Sequence, residues 1–322
     1  MNSIKVSVII PVRNQENHIA ACLDSVLSQT LRDIEVIVVE GGSTDRTEDV
    51  VLKYMDNDSR IKLINKPNDG LSLARKAGLN YAKGEYIYHL DGDDTLSCDA
   101  LELLYNKAQE CDADMVVLNF KVCHAYNGVT RESKSMRFVR LSGIDFIRTL
   151  YTRENYWMVW SVLHKRSLYS NFEIKFDSKL FLGEDTLLTT QLAYYSKKIV
   201  KLNSKSLLTH YIRKAPEEKM RRFSQKSYFD LTTYPELIND FLKDKPEYPQ
   251  LRESIASLRL QSIAKCFSYK CFDSAKEKSS EALRILNEHP SLKYILGKRM
   301  HRLFKVYKVN EKLGNIVSRF IL

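Results

Sequence analysis

The amino-acid sequence predicts an α/β fold in which helices cover a mostly parallel central sheet, followed by a helical appendage. Two observations predict the sheet. Apolar runs alternate four times with segments whose apolar residues have helical spacing, and polar turns follow the strands at 11–14, 40–45 and 91–94. The appendage is predicted because residues 216–322 are polar and have a helical pattern.

The predicted elements follow one another regularly over residues 1–95. The first strand covers 6–10, and residues 14–29 form a helix because their apolar residues recur at helical spacing. The remaining elements are a strand at 34–39, a helix capped by Thr44 and Asp45 that runs through Tyr54, a strand at 61–64, a helix at 72–82 and a strand that ends at Asp91.

Three polar turns lie at the predicted carboxyl ends of these strands: 11–14, 40–45 and 91–94. In an open α/β sheet the ligand crevice lies beyond those ends. We therefore expect three turns from distant parts of the sequence to meet on one rim of the sheet.

The acidic turn Asp91-Gly92-Asp93-Asp94 is the most informative segment. Hard divalent cations bind through one or two carboxylates together with substrate phosphates, so this turn suits a metal–diphosphate site. Asp and Gly are also ordinary turn residues, and the next predicted helix, which begins near Asp99, needs a polar start. The turn by itself leaves both interpretations open.

The common phosphate-binding loops are absent, since no GxGxxG follows the first strand and no Walker lysine motif occurs. Bound phosphates would therefore need another counter-charge. A cation at Asp91 and Asp93, helped by Arg75 from the preceding helix, could supply it. The alternative for Arg75 is a solvated helix arginine.

The composition is that of a globular protein. The chain has 322 residues, 44% of them apolar, which suffices for one large domain and an appendage. None of the six cysteines lies in a CxxC pair or zinc spacing, and no signal peptide precedes the first strand, which favours a reduced, cytoplasmic compartment. No stretch approaches about eighteen uninterrupted apolar residues, so we expect no membrane span.

Positive charge is concentrated in residues 290–322, which contain eight Lys or Arg and one acid, a net charge of +7. Apolar residues recur there at roughly helical spacing, as is typical of a basic amphipathic helix on an anionic membrane surface. Such a protein would be peripheral on the inner face of the cell membrane. The alternative is a helix packed on its own domain with a solvated basic face. No nucleic acid is expected as a partner, because no nucleic-acid motif accompanies the charge.

Several short segments follow one another in a specific order and spacing. They are Val-Ser-Val-Ile-Ile-Pro-Val-Arg-Asn at 6–14, Leu-Asp-Ser-Val-Leu-Ser-Gln at 23–29, Gly-Ser-Thr-Asp at 42–45, Gly-Leu-Ser-Leu-Ala-Arg-Lys-Ala-Gly at 70–78, Gly-Glu-Tyr-Ile at 84–87 leading into 91–94, then 160–168, Phe176 and Gly-Glu-Asp at 183–185. This set resembles family 2 glycosyltransferases, the inverting GT-A-fold group that uses nucleotide sugars, of the polysaccharide-biosynthesis type.

The resemblance covers residues 4–215. It implies a GT-A domain at 1–215, with a nucleotide-binding half at 1–95 and an acceptor half at 96–215, before a helical basic region at 216–322. It also implies transfer of a sugar from a nucleotide-diphosphate sugar, a UDP-sugar first of all, to a hydroxyl group of a saccharide or lipid-linked acceptor.

The resemblance also implies roles for individual residues. Asp185 would be the catalytic base, Asp91 and Asp93 would hold Mn²⁺ or Mg²⁺, and Trp160 and Glu184 would lie on the acceptor side. The donor-binding residues would be Pro11, Val12, Arg13, Asn14, Glu40, Arg75, Asp91 and Gly92.

Two departures from the family pattern concern the nucleotide. Glu40-Gly41 stands where the family usually has Asp-Asp, and Arg13 occupies a position that is often aromatic. They motivate a rival hypothesis, a nucleotide-sugar-binding scaffold that has lost turnover. A sugar-phosphate nucleotidyltransferase on a related sheet fits poorly, because the glycine-rich, lysine-containing phosphate loop is absent.

Some of these residues have a plain structural interpretation too. Glu184 and Asp185 begin a predicted helix, where acids favour the amino-terminal dipole. Trp157 and Trp160 could stack on an acceptor sugar or belong to the core. His210 lies near where some GT-A enzymes place a metal ligand or a phosphate contact, and the alternative is a structural histidine.

Overall fold

The computed structural model describes residues 3–66, 70–133, 138–151, 158–180, 182–213, 225–269 and 274–309. The chain divides into two compact units. The first unit comprises Met1–Phe146, Tyr156–Leu180 and Glu184–Ala215, and the second comprises Ile147–Asn155, Phe181–Gly183 and Pro216–Leu322. The predicted domain boundary after residue 215 lies outside the described residues.

Twelve strands occur within the described residues, all of them in the first unit. They are β1 (Val6–Val12), β2 (Ile34–Glu40), β3 (Ile61–Asn65), β4 (Tyr86–His89), β5 (Thr95–Leu96), β6 (Met115–Val117), β7 (Phe120–His124), β8 (Val129–Glu132), β9 (Arg140–Leu141), β10 (Val162–Lys165), β11 (Ile199–Lys201) and β12 (Leu208–Ile212).

Eight strands form the central sheet, in the order β3-β2-β1-β4-β10-β6-β11-β9. The strands from β3 to β4 are parallel, β10 runs antiparallel between β4 and β6, and β11 is parallel to β6. The register pairs Val12 with Glu40 and Ile9 with His89, so the carboxyl ends of β1, β2 and β4 are neighbours. The predicted mostly parallel sheet is confirmed.

Strand β1 continues through Pro11 and Val12, two residues beyond the predicted end. Proline has no backbone N–H and therefore weakens a strand that is paired on both sides. Here the pairing with β4 ends at Ile9, while β2 stays paired up to Val12. The missing N–H of Pro11 thus falls where no β4 partner remains.

A second sheet of four strands has the order β5-β12-β7-β8. Its first strand, β5, begins directly after the acidic turn, and it pairs with β12 through Thr95 and Thr209. Strand β12 also contains His210. This sheet therefore brings residues near 210 to the acidic turn.

The helices of the first unit cover the central sheet. They are α1 (Ile19–Leu27), α2 (Thr47–Asn57), α3 (Leu71–Leu79), α4 (Ala100–Cys111), α5 (Gly143–Leu150), which continues into the second unit, α6 (Ser167–Ser170) and α7 (Glu184–Tyr195). Helix α3 approaches the sheet closely at Gly78, where an added Cβ would lie 2.5 Å from Ile9 Cγ2. This contact holds Arg75, one turn earlier on α3, next to the sheet.

The described part of the second unit contains four further helices, α8 (Gln225–Leu242), α9 (Tyr248–Tyr269), α10 (Ala275–Glu288) and α11 (Lys293–Val309). The rings of Phe304 and Tyr307 on α11 pack against Phe267 on α9, with centroid distances of 5.0 and 5.2 Å. Leu303 belongs to the same buried cluster. Leu303, Phe304 and Tyr307 of α11 are therefore covered by helices of its own unit.

This packing agrees with one of the two predicted alternatives, a helix packed on its own domain. Residues 310–322, the end of the basic segment, lie outside the described residues. None of the helices in the described part of the chain has the length and hydropathy needed to cross a bilayer.

Candidate active site

The turns after β1 and β2 are joined by hydrogen bonds. The backbone N–H of Asn14 donates to Ser43 Oγ at 2.9 Å, and the Thr44 N–H donates to Asn14 Oδ1 at 2.8 Å. Asn14 has a φ of 54°, which asparagine tolerates better than most residues. The acidic turn also touches β1, since a Cβ on Gly92 would meet Val12 Cγ1 at 2.5 Å. The three polar turns therefore lie together at one rim of the sheet.

Glu40 uses both carboxylate oxygens within its own turn. They accept hydrogen bonds from the backbone N–H groups of Gly42 and Ser43 at 2.9 and 2.6 Å, and Glu40 is 5% exposed. Within the predicted segment 11–14, Pro11 and Val12 are buried while Arg13 and Asn14 are exposed. Of these predicted donor-binding side chains, the two exposed ones are therefore the most accessible to a nucleotide.

The three aspartates of the acidic turn have three different partners. Asp91 Oδ1 accepts a hydrogen bond from Arg75 NH2 at 3.1 Å, and Asp93 Oδ2 lies 3.4 Å from Arg213 NH1. Asp94 is fully buried and accepts hydrogen bonds from His210 Nδ1 and the Tyr211 N–H, both at 2.9 Å. The first two carboxylates are about one quarter exposed, at 26% and 27%.

Asp93 lies near the two other carboxyl groups of its turn, those of Asp91 and Asp94. Burial raises the pKa of Asp93 to about 6, and the charges of Asp94 and Asp91 contribute to the rise. A cation would relieve this repulsion, and the carboxylate oxygens suit a hard cation. In the described part of the chain, no three His, Cys, Asp or Glu side chains form a metal-binding cluster. Asp91 and Asp93 could therefore supply two ligands, with substrate phosphates supplying others.

Arg75 connects the acidic turn to the predicted base. Its side chain is 1% exposed, and NH1 donates a short hydrogen bond to Asp185 Oδ1 and lies 3.5 Å from Glu184 Oε1. NH2 donates to Asp91 Oδ1. One buried guanidinium thus binds carboxylates from the turn after β4 and from the start of α7.

Glu184 and Asp185 are the first two residues of α7. Burial raises the pKa of both carboxyl groups, and the positive charge of Arg75 opposes the rise. Because the guanidinium bonds directly to Asp185, we assign the negative charge to Asp185 and the proton to Glu184. The pair thereby keeps one ionised carboxylate, 17% exposed, at the rim of the sheet.

His210 and Trp160 form a stacked pair, with ring centroids 4.8 Å apart and planes at 18°. Burial acts to lower the pKa of His210, but the hydrogen bond and charge of Asp94 raise it overall. Trp160 is 4% exposed and also meets the Phe120 ring edge-on at 4.8 Å. Trp160 therefore supports His210 from the core, and Trp157 lies outside the described residues.

Three residues of this site escaped the sequence prediction. Asp94 was part of the recognised acidic run, but no pattern marked it as the buried partner of His210. Arg213 donates to the carbonyl oxygen of Asp93 at 2.7 Å, and no motif surrounds it. Tyr211 contributes only its backbone N–H, which carries no sequence signal.

A family model described as glycosyl transferase family 2 matches residues 7–174. The glycosyltransferase GlyA of Streptococcus pneumoniae is 35% identical over 225 residues, which cover 65% of this chain and 31% of that protein. The chain therefore spans about a third of this curated relative.

Solved structures extend the likeness to nearly the whole fold. TarS 1–349 of Staphylococcus aureus in complex with UDP-GlcNAc superposes with a TM-score of 0.71 at 20% identity, covering 98% of this chain and 90% of that one. The mannosyltransferase PcManGT of Pyrobaculum calidifontis, in complex with GDP-Man and Mn²⁺, gives a TM-score of 0.57 at 17% identity, with 98% and 86% covered. Likeness at such identity concerns the fold, whereas the family match covers more than half of the sequence. The chain belongs to glycosyl transferase family 2 and has the GT-A fold.

Proposed function

We propose that this protein is an inverting glycosyltransferase that moves a sugar from a UDP-sugar to a hydroxyl group of a saccharide or lipid-linked acceptor in surface polysaccharide synthesis. The observation that carries the proposal is the position of Arg75, which holds Asp91 of the acidic turn and Asp185 of α7 on one guanidinium. Inverting transfer requires a base and a diphosphate-binding turn close together. The UDP-GlcNAc complex of the structural neighbour TarS supports a UDP-sugar donor.

The reaction is a single in-line displacement. The acceptor oxygen attacks the anomeric carbon, the bond from that carbon to the diphosphate oxygen breaks, and its electron pair leaves with the nucleoside diphosphate. Asp185 takes the proton of the acceptor hydroxyl. Arg75 keeps Asp185 ionised before the reaction, because the guanidinium stabilises the carboxylate despite its burial.

Cationic side chains border the place where charge would develop on the leaving diphosphate. Arg75 and Arg213 lie at Asp91 and Asp93, and His210 lies at Asp94. Mn²⁺ or Mg²⁺ held by Asp91 and Asp93 would neutralise charge on the departing diphosphate. Burial and the charges of Asp94 and Asp91 raise the pKa of Asp93, and a bound cation would offset both effects.

A donor screen by thermal shift tests the function. We expect UDP-sugars with Mn²⁺ to raise Tm more than GDP-sugars, because the proposed donor is a UDP-sugar. A ligand that binds only the native state stabilises it by about 2.7 kcal/mol at 100 times its Kd. Asp93→Asn and EDTA should each reduce the shift, since both remove the proposed metal. A protein that no nucleotide sugar stabilises, with or without metal, would contradict the proposal.

A binding scaffold without turnover is the second candidate, motivated by Arg13 and by Glu40, whose carboxylate is occupied within its own turn. The two candidates differ in product. An enzyme releases UDP from the donor in the presence of acceptor or water, whereas a scaffold gives a thermal shift without UDP release. The Arg75–Asp185 pair favours the enzyme, because a scaffold needs no buried base.

We also propose that the exposed side of α11 holds the protein on an anionic membrane surface. Lys293, Arg302, Lys305 and Lys308 are exposed, and α11 contains no acidic residue. Because the apolar residues Leu303, Phe304 and Tyr307 are buried, we expect attraction by charge rather than insertion into the acyl chains. Binding should therefore weaken as salt is added.

Reversal of three charges tests this surface. In the full-length protein, Arg302→Glu, Lys305→Glu and Lys308→Glu together should lower the affinity for phosphatidylglycerol vesicles at least about 100-fold, because each lost basic residue contributes about 1 kcal/mol. Vesicle sedimentation measures the loss. A control protein carries Lys53→Glu, Lys197→Glu and Lys276→Glu, which change three exposed lysines elsewhere by the same charge. Equal loss in both proteins would show that α11 is not the binding surface.

A further inference from the structure

A group of buried polar rings lies behind Arg75, on the face of the sheet that α3 covers. His89 ends β4, and His164 on β10 pairs with Ile87, so the two histidines project from the same face. Their ring centroids are 5.9 Å apart, and both are buried. Tyr169 on α6 completes the group, with its Oη 3.1 Å from His89 Nε2. We call these three residues the buried histidine layer.

Several polar atoms in this region have no hydrogen-bond partner among the described residues. They are Arg75 Nε, His89 Nδ1, His164 Nδ1 and His164 Nε2. The Ile87 carbonyl is near enough to act on the pKa of His164, but no well-aligned hydrogen bond joins the two. Native proteins leave few buried polar atoms unpaired, and ordered internal water is the usual partner where protein atoms are lacking.

Tyr169 packs in one buried cluster with Ala74 and Ala77, which flank Arg75 on α3. Burial lowers the pKa of His89 and His164, and the charge of Arg75 lowers both further. The same charge opposes the rise that burial causes in the pKa of Tyr169. In either tautomer, a neutral imidazole presents one N–H donor and one acceptor nitrogen. Water, which donates and accepts, can satisfy these nitrogens and the Nε–H of Arg75 together.

We propose that ordered water fills the buried histidine layer and links Arg75 Nε to His89 and His164, which makes the two histidines positioning residues. NH1 and NH2 of Arg75 face the carboxylates, so a hydrogen bond at Nε fixes the plane of the guanidinium from the opposite side. That plane sets the position of Asp185 relative to Asp91. The proposal rests on the function proposed above, because it assigns the histidines to the support of that base.

A high-resolution crystal structure of the unmodified protein tests the water directly. We expect a water molecule within hydrogen-bond distance of Arg75 Nε and of at least one histidine nitrogen. An Nε bonded to a protein atom, or a dry layer, would overturn the proposal. This measurement involves no turnover, so it remains decisive even if the protein transfers no sugar, an outcome that would refute the proposed function instead.

Substitutions test the positioning role. His89→Leu and His164→Leu should each lower kcat for sugar transfer about tenfold, the usual size for a lost outer-shell partner, with the donor KM little changed. Asn at either position keeps polar atoms near Nδ1 and should restore part of the lost kcat. In an Arg75→Lys protein the same leucine changes should have almost no further effect, because the histidines act through Arg75. Leucine variants with unchanged kcat, or with equal losses in both backgrounds, would overturn the proposal.

Discussion

Replacing Asp185 with Asn is expected to lower kcat for sugar transfer by about 10²- to 10⁴-fold, because the acceptor hydroxyl would lose its proposed proton acceptor. Donor binding should persist, since Asp185 lies on α7 and the nucleotide is expected at the turns after β1 and β2. Transfer of a radiolabelled sugar measures kcat. The thermal shift caused by UDP measures donor binding. Near-normal transfer by the Asn protein would remove Asp185 from the role of base.

The proposed role of Asp185 as the base predicts a pH dependence of kcat. A base works only when it is deprotonated, so kcat falls as pH drops through its pKa. Burial raises that pKa above the ordinary aspartate value. We therefore expect the acidic limb of the kcat profile to lie above the ordinary aspartate range. Glu184→Gln is the control, because it removes the neighbouring carboxyl while keeping a hydrogen-bonding side chain.

Replacing Arg75 with Met is expected to destabilise the fold by about 3–5 kcal/mol, the usual cost of leaving buried charges without their partner. Asp91, Asp185 and Glu184 would lose the one guanidinium that they share. Urea unfolding measures the loss. Arg60→Met is a matched control, because it breaks the ion pair with Asp58, in which both side chains are 23% exposed. We expect this change to lower the free energy of unfolding by about 1 kcal/mol or less.

The destabilisation in the Met protein should depend on pH with a definite sign. Without Arg75, the pKa values of the remaining carboxyl groups rise in the folded state, so the folded protein binds more protons than the unfolded chain. The free energy of unfolding of the Met protein then increases as pH falls, and its difference from that of the unmodified protein becomes smaller. A stability difference that is constant from pH 8 to pH 5 would contradict the role of Arg75 as the shared counter-charge of these carboxyl groups. Loss of sugar transfer should accompany the change at every pH.

The sequence predicted the first half of the fold well because its signals are local. Strands β1 and β2 are β-branched runs buried along their whole length, and the intervening apolar spacing is helical. The short strands β9, β5 and β6 give no such signal, since two or three residues cannot show a period. Their positions depend on tertiary pairing instead.

The candidate site was predicted as a set of residues but not as a set of contacts. The motifs named Arg75, Asp91 and Asp185, yet the pairing of Arg75 with Asp185 spans 110 positions and no local pattern encodes it. Glu40 shows the same limit. Its carboxylate could be placed near a nucleotide by motif position, but the nearby N–H groups of Gly42 and Ser43 determine where it points.

The arrangement around Arg75 also constrains how relatives of this protein can diverge. A single guanidinium binds one acid of the turn after β4 and two acids at the start of α7. A substitution at the acidic turn would change the ionisation of the acids on α7, and the reverse also holds. We therefore expect neither group of acids to change alone. We therefore expect sequence change to be tolerated more readily in the surrounding loops than at this trio of acids and its arginine.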